Sequence, residues 1–216
     1  MSKSLGNVIS PYDLIEQYGL DQSRYFLLRE VPFGSDGDFS RDQAISRINS
    51  DLANGLGNLA QRTLSQIAKN CEGRVPAHGD FTAEDKALLD QAYNLANALR
   101  KDFDKFAFHR GIETIWRTVY DANAYIDAQA PWTLKKTDIA RMGTVLYVLA
   151  ETIRCLAISI QSIVPQSAAK MLDQVASPLD KRMYAHISSE YALKSGTDLP
   201  TPEGVFPRIQ PEDKAA

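Results

Sequence analysis

Residues 139–163 read IARMGTVLYVLAETIRCLAISIQSI. The stretch is apolar on nearly every face when wound as a helix. Such a helix must be covered by others on all sides, so the reading predicts the buried centre of a helical bundle, closed by Pro165. Glu151, Arg154 and Gln161 interrupt the run. Those polar interruptions favour a core helix over a membrane span. The flanking sequence supplies covering helices. Residues 40–70 place Ile45, Ile48, Leu52, Leu56, Leu59 and Leu64 at spacings of three to five, as an amphipathic helix does. Gly55 and Gly57 each weaken that helix by roughly 1 kcal/mol relative to Ala, and their presence predicts another backbone packed close by. A second covering helix is predicted over residues 83–106. A third over 108–129 points Ile112, Ile115, Trp116, Val119, Tyr120 and Ile126 inward, and a further short helix follows Pro165.

The first forty residues have a different texture. Gly6, Pro11, Gly19, Pro32, Gly34 and Gly37 divide them into short pieces. SPYDLIEQY, with Ser10 as N-cap and Pro11 at the first helical position, predicts one helix; DQSRYFLLREV, with Asp21 as N-cap, predicts another. The fold class expected is mainly α: an antiparallel helical bundle preceded by a small irregular segment. Three parts are expected, over residues 1–39, 40–190 and 191–216, the last a polar tail strapped across the bundle.

Composition narrows the function classes. The 216 residues carry 24 Lys and Arg against 27 Asp and Glu, a net charge of -3. A broad basic face is excluded, so any contact with nucleic acid has to be local. Two distant cysteines, Cys71 and Cys155, and three scattered histidines give neither a disulfide framework nor metal-ligand spacing. With no signal-peptide pattern at the start, a soluble cytoplasmic protein is expected.

Three places could carry chemistry. MSKSLGN, residues 1–7, offers the hydroxyls of Ser2 and Ser4, the ammonium of Lys3 and a glycine. These can line a phosphate-binding loop, or they can be an untethered start. Asn58 and Arg62 in LGNLAQRTL lie four apart on one helix face. An amide with a guanidinium can read a base edge or hold a phosphate, and the same pair also suits a solvated face. Asn54 extends the stripe. Trp132 follows Ala130-Pro131 at the break after the third helix. It is either a plug between helix ends or a plate on which a single-stranded base stacks. No Ser/His/Asp ordering and no compelling carboxylate pair is present.

Taken together, these signals resemble one family. MSKSLGN is similar to the KMSKS signature loop of class I aminoacyl-tRNA synthetases without its first Lys. YGLDQSRYFLLREVPFGSDGDFS, DLANGLGNLAQRTL, NAYIDAQAPW and FPRI, in that order, resemble the methionyl-tRNA synthetase family. The resemblance runs from Met1 to about Gln210. It implies that Lys3, flanked by Ser2 and Ser4, is the ATP-phosphate end of an active site, and that residues 1–39 are its loop and a stem-contact segment. It further implies that the bundle reads the CAU anticodon of the methionine tRNA through Asn58, Arg62 and Trp132. On this resemblance the chain is the C-terminal part of a longer, ATP- and Mg2+-dependent methionine-tRNA ligase, its catalytic domain lying upstream. Alone it is expected to bind tRNA without catalysis, to need no cofactor or metal, to touch no membrane and to be a monomer. Two other readings are the anticodon region of a leucine, valine, isoleucine or cysteine enzyme, and a non-catalytic helical protein-interaction domain.

Overall fold

The structure is a computed structural model that describes residues 9–37 and 39–210. The described chain is helical, with no strand and one isolated bridge, Arg74 with Asp198. Helices α1 (Pro11–Tyr18) and α2 (Leu20–Glu30) come first. A long helical rod follows, made of α3 (Arg41–Arg47), a π-helical segment (Ile48–Gly57) and α4 (Asn58–Asn70). Then come α5 (Ala83–Tyr93), α6 (Leu95–Phe103), α7 (Phe108–Gln129), α8 (Pro131–Thr137), α9 (Ile139–Ile160) and α10 (Pro165–Gln174). Three 3₁₀ turns lie beyond, at Leu179–Lys181, Tyr184–His186 and Ser189–Tyr191.

Helix α9 is the axis of the bundle. Every residue from Met142 to Ile160 is buried, and α4, α5, α6, α7, α8 and α10 all pack on it. By length and composition α9 could cross a bilayer, so the polar interruptions are not what separates it from a span. It is covered by protein instead, and the two charges at its middle are paired with each other. Glu151 and Arg154 form an ion pair within the core. Arg154 also donates to the carbonyls of His186 and Ser188, and Glu151 accepts the amide of Leu193. The polar interruption of the central helix is therefore what holds the chain beyond α10 against it. Further on, Asn49 exchanges two hydrogen bonds with the backbone of Ile209, while Val205 and Phe206 are buried against the rod.

Several sequence expectations change in detail. The rod is continuous from Arg41 to Asn70, as periodicity predicts, but ten of its residues are π-helical. The two glycines meet side chains and not a neighbouring backbone. A Cβ at Gly55 would face Trp116 and Val119, and one at Gly57 would face Phe206 and sit 2.9 Å from the Leu52 carbonyl of its own widened turn. The helix over 83–106 breaks at Asn94 into α5 and α6. Helix α9 stops at Ile160, three residues early, and Arg24 of α2 donates to the carbonyls of Ser162 and Ile163 just beyond its end. Tyr120 is more than half exposed, whereas the other predicted core positions of α7 are buried. Trp132 stands on a helix of its own and not on an irregular break.

Asp21 is the clearest correction. Helix α2 begins at Leu20, so Asp21 lies inside it. Its buried carboxylate accepts the amide of Ser167 at 2.6 Å, in the first turn of α10, whose own N-cap position is Val164. Asp21 thus caps another helix, where a carboxylate also meets the positive end of the helix dipole. Asp21→Ala is expected to lower stability by about 1–2 kcal/mol, and Asp21→Asn, which keeps an acceptor, by clearly less. Urea denaturation of both variants checks this.

Candidate nucleic-acid interface

The reversal after α7 sets up the site. Ala130 ends α7 in the left-handed region (φ 43°), and Pro131 opens α8 with its φ already helical. A non-glycine residue held at positive φ costs on the order of 1 kcal/mol, which the surrounding contacts must offset. The turn sends α8 back toward α4. Pro131 is buried and Leu134 packs on the core, so Trp132 between them projects at the surface, 37% exposed.

Across from it lies Arg62 of α4. The guanidinium carbon of Arg62 stands 5.3 Å from the centroid of the Trp132 ring, a cation–π arrangement. Asp127 of α7 accepts a hydrogen bond from the same guanidinium. Together Arg62, Trp132, Gln61, Ser65, Gln66 and Ile126 line an open hollow of about 250 Å³. One helical turn earlier, Asn58 lines a second hollow of about 260 Å³ with Asn54, Gln61 and Arg208. There Arg208 donates to the Asn54 side chain through both Nε and a terminal nitrogen. Gln61 borders both hollows, so they form adjoining parts of one face.

The fold therefore brings Asn58, Arg62 and Trp132 onto one surface from two helices distant in sequence. Lys3, Ser2 and Ser4 lie outside the described residues. Sequence reasoning missed Asp127 as the partner of Arg62, and missed that Arg208, inside the quoted FPRI, reaches the same face. Neither follows from spacing, because each depends on a segment far away in the chain. Asn123 donates to the carbonyls of Val119 and Gly55 and ties α7 to the π-helical segment.

Beneath α8 a polar cluster pins its two neighbours. Asp85, fully buried, closes a capping box with Thr82 at the start of α5. It also accepts from Tyr125 of α7 and from both terminal nitrogens of Arg141 in α9, and Arg141 donates as well to Gln129, the last residue of α7. Burial opposes ionisation of Asp85, but the hydrogen bonds from Arg141, Tyr125 and the Thr82 amide overcome it and hold the carboxyl at about 2. As for covalent chemistry, burial pushes the thiols of Cys71 and Cys155 up, which leaves neither activated as a nucleophile. No group of His, Cys, Asp and Glu that could hold a metal ion is present among the described residues.

Comparison with known proteins identifies the family. A family model for the anticodon binding domain of methionyl tRNA ligase matches residues 75–216, and one for class I tRNA synthetases (M) matches residues 1–64. The chain belongs to the methionyl-tRNA synthetase family. The methionine–tRNA ligase of Brucella melitensis is 55% identical over 214 residues, 99% of this chain and 41% of the relative. That of Mycobacterium tuberculosis is 50% identical over 215 residues, 98% of this chain and again 41% of the relative. A solved structure of the Mycobacterium tuberculosis methionyl-tRNA synthetase in complex with methionyl-adenylate superposes with a TM-score of 0.93 at 50% identity, covering 96% of this chain and 41% of that one. The chain thus spans about two fifths of the length of the curated relatives it matches. Within the family, the tryptophan, the arginine and the asparagines fall in or beside the segments matched as synthetase and as anticodon-binding domain.

Proposed function

We propose that the face built by Asn58, Arg62 and Trp132 binds the CAU anticodon loop of the methionine tRNA. The observation that carries this reading is the arginine poised over a surface tryptophan, one helical turn from an amide, on an otherwise acidic protein. The exposed indole gives one unpaired base a stacking plate. Arg62 and Asn58 offer donors, and in the amide also an acceptor, for base edges or phosphate. The hollows are open, which suits bases splayed out of a loop and not a duplex. A local site of this kind is what a net charge of -3 permits.

This surface serves, on the same reading, a methionine–tRNA ligase that activates methionine with ATP and transfers it to tRNA in the cytoplasm, where two free thiols remain reduced. Lys3 with Ser2 and Ser4 is proposed to meet the ATP phosphates; the support is the sequence resemblance and the match over residues 1–64.

Trp132→Ala is expected to weaken binding of a CAU anticodon stem-loop by about 1–3 kcal/mol, roughly 5- to 150-fold, with little change in thermal stability because the ring is a third exposed. Fluorescence titration of the protein with that stem-loop measures it, with a stem-loop of altered anticodon as the control. Equal binding by Trp132→Ala and the parent protein, or equal binding of the two stem-loops, overturns the assignment.

A further inference from the structure

The segment beyond the 3₁₀ turns supplies part of the Asn58 hollow. Gly204, Val205, Phe206 and Arg208 line it together with Asn54, Gly57 and Asn58 of the rod. Side-chain amides fix this segment at both ends. Gln174 exchanges two hydrogen bonds with the backbone of Glu203, and Asn49 exchanges two with that of Ile209. Between them Val205 and Phe206 are buried, and Phe206 approaches the rod closely at Gly57. The exposed Arg208 therefore springs from a backbone held on either side.

The guanidinium is held as well. Its Nε donates to Oδ1 of Asn54 at 3.0 Å, and one terminal nitrogen donates to the same oxygen. Those two bonds leave three of the five guanidinium N–H donors for a ligand. Nor is the charge cancelled. Two charged side chains line the adjoining hollows, Arg62 and Arg208. Arg62 is paired with Asp127. The partner of Arg208 is a neutral amide, and no carboxylate lines either hollow. One positive charge is left in the lining of this face, on a protein whose net charge is -3.

We infer that Arg208 meets a backbone phosphate of the anticodon loop, an inference that rests on the anticodon reading above. An uncancelled guanidinium selects an anion, and the anions of RNA are its phosphates. Guanine, the base whose O6 and N7 best fit a guanidinium, is absent from CAU. Asn54, which holds Arg208, lies eight residues before Arg62 on the rod. That is roughly 10–12 Å along a helix, so the charge stands beside the stacking plate and not over it. Phosphate contacts set the register of a nucleic acid without reading its sequence. Arg208 therefore adds affinity, and Asn58, Arg62 and Trp132 choose the anticodon.

The test is a salt series. The 216-residue protein and its variants are titrated with the CAU stem-loop and with one of altered anticodon, at several NaCl concentrations. Arg208→Ala should weaken binding of both stem-loops by the same factor, roughly 5- to 20-fold at low salt, and leave the preference for CAU as it was. The slope of log K against log salt should become shallower by about 0.7, the amount lost with one phosphate contact to a single strand. Arg208→Gln, which keeps a donor without the charge, should show the same shallow slope, and Arg208→Lys should keep the slope of the parent protein. Trp132→Ala should lose affinity with the slope unchanged. Unaltered affinity and slope in Arg208→Ala, with the CAU preference of the parent intact, overturns this inference alone. So does a loss confined to the CAU stem-loop with no change in slope, which would make Arg208 a reader of bases. Equal binding of the two stem-loops by the parent protein overturns the anticodon reading and this inference with it.

Discussion

Arg154→Met is expected to destabilise the protein by about 3–5 kcal/mol, the largest effect of any single substitution considered for this chain. The reason is the partner left behind. Glu151 and Arg154 sit on the central helix with side chains 0% and 2% exposed, so removing the guanidinium strands a carboxylate with no access to water. The loss also releases two carbonyl acceptors, His186 and Ser188. At 216 residues such a change corresponds to a fall of roughly 6–20 °C in Tm. The compensating double variant Glu151→Gln with Arg154→Met keeps an acceptor for the Leu193 amide and buries no charge. It is expected to recover most of the loss. Calorimetry of the two variants decides between an ion pair valued for its net energy and one that is costly only to break. If the double variant is as unstable as the single one, stranded charge is not the cause. Amide exchange over residues 186–197 gives a second readout, since the segment held by the pair should open first in the single variant.

The second large effect centres on Asp85. Asp85→Asn removes the charge that Arg141 grips in bidentate fashion and weakens the Tyr125 and Thr82 contacts. Because the Arg141 side chain is 18% exposed and can rehydrate, the expected loss is near the low end for a broken buried pair, about 3 kcal/mol. The carboxyl also predicts an acid signature. Its folded value of about 2 lies below the ordinary 3.8, so its contribution is fully present above about pH 4 and is lost as the pH falls through 2. That contribution is about 1–2 kcal/mol after allowance for solvent screening at Arg141. Denaturation midpoints of the parent protein should therefore fall between pH 4 and 2 more steeply than those of Asp85→Asn. Parallel acid limbs would show that another carboxylate is responsible. There is a functional consequence as well. Asp85 and Arg141 clamp the end of α7 to the start of α9, and α8 with Trp132 spans the gap between them. Asp85→Asn should weaken anticodon stem-loop binding without touching RNA; unchanged binding by this variant would show that the cluster does not position α8.

Much of this was legible from residues alone. The all-round apolarity of residues 139–160 required a central helix, because no other arrangement covers such a surface. The termini of α1 and α7 followed from local rules: a serine cap with proline behind it at Ser10-Pro11, and a proline forcing a stop before Pro131. The candidate site residues came from resemblance, since Asn58, Arg62 and Trp132 match the quoted family segments, and the structure brings these three onto one face. What spacing could not show was whether they meet, or which neighbours they find. Asp127 pairs with Arg62 across sixty-five residues, and Arg208 reaches Asn54 across more than twice that distance. Sequence periodicity carries no information at such separations, because each helix face repeats every turn and is blind to what it will face.

By itself, then, the sequence determined the rough extent of most of the long helices, the buried axis and the residue types of the candidate site. Those are consequences of hydrophobic periodicity and of local backbone preference, which act within a turn or two. Tertiary structure alone decided that Asp21 caps a different helix, that Gly57 permits a π-helical turn, that Glu151 and Arg154 anchor the chain beyond α10, and that Trp132 stands out from the core instead of filling it. Each of these depends on which donor, acceptor or apolar surface arrives from elsewhere in the chain. Hydrogen bonds and ion pairs over such distances form only once packing has brought their partners together.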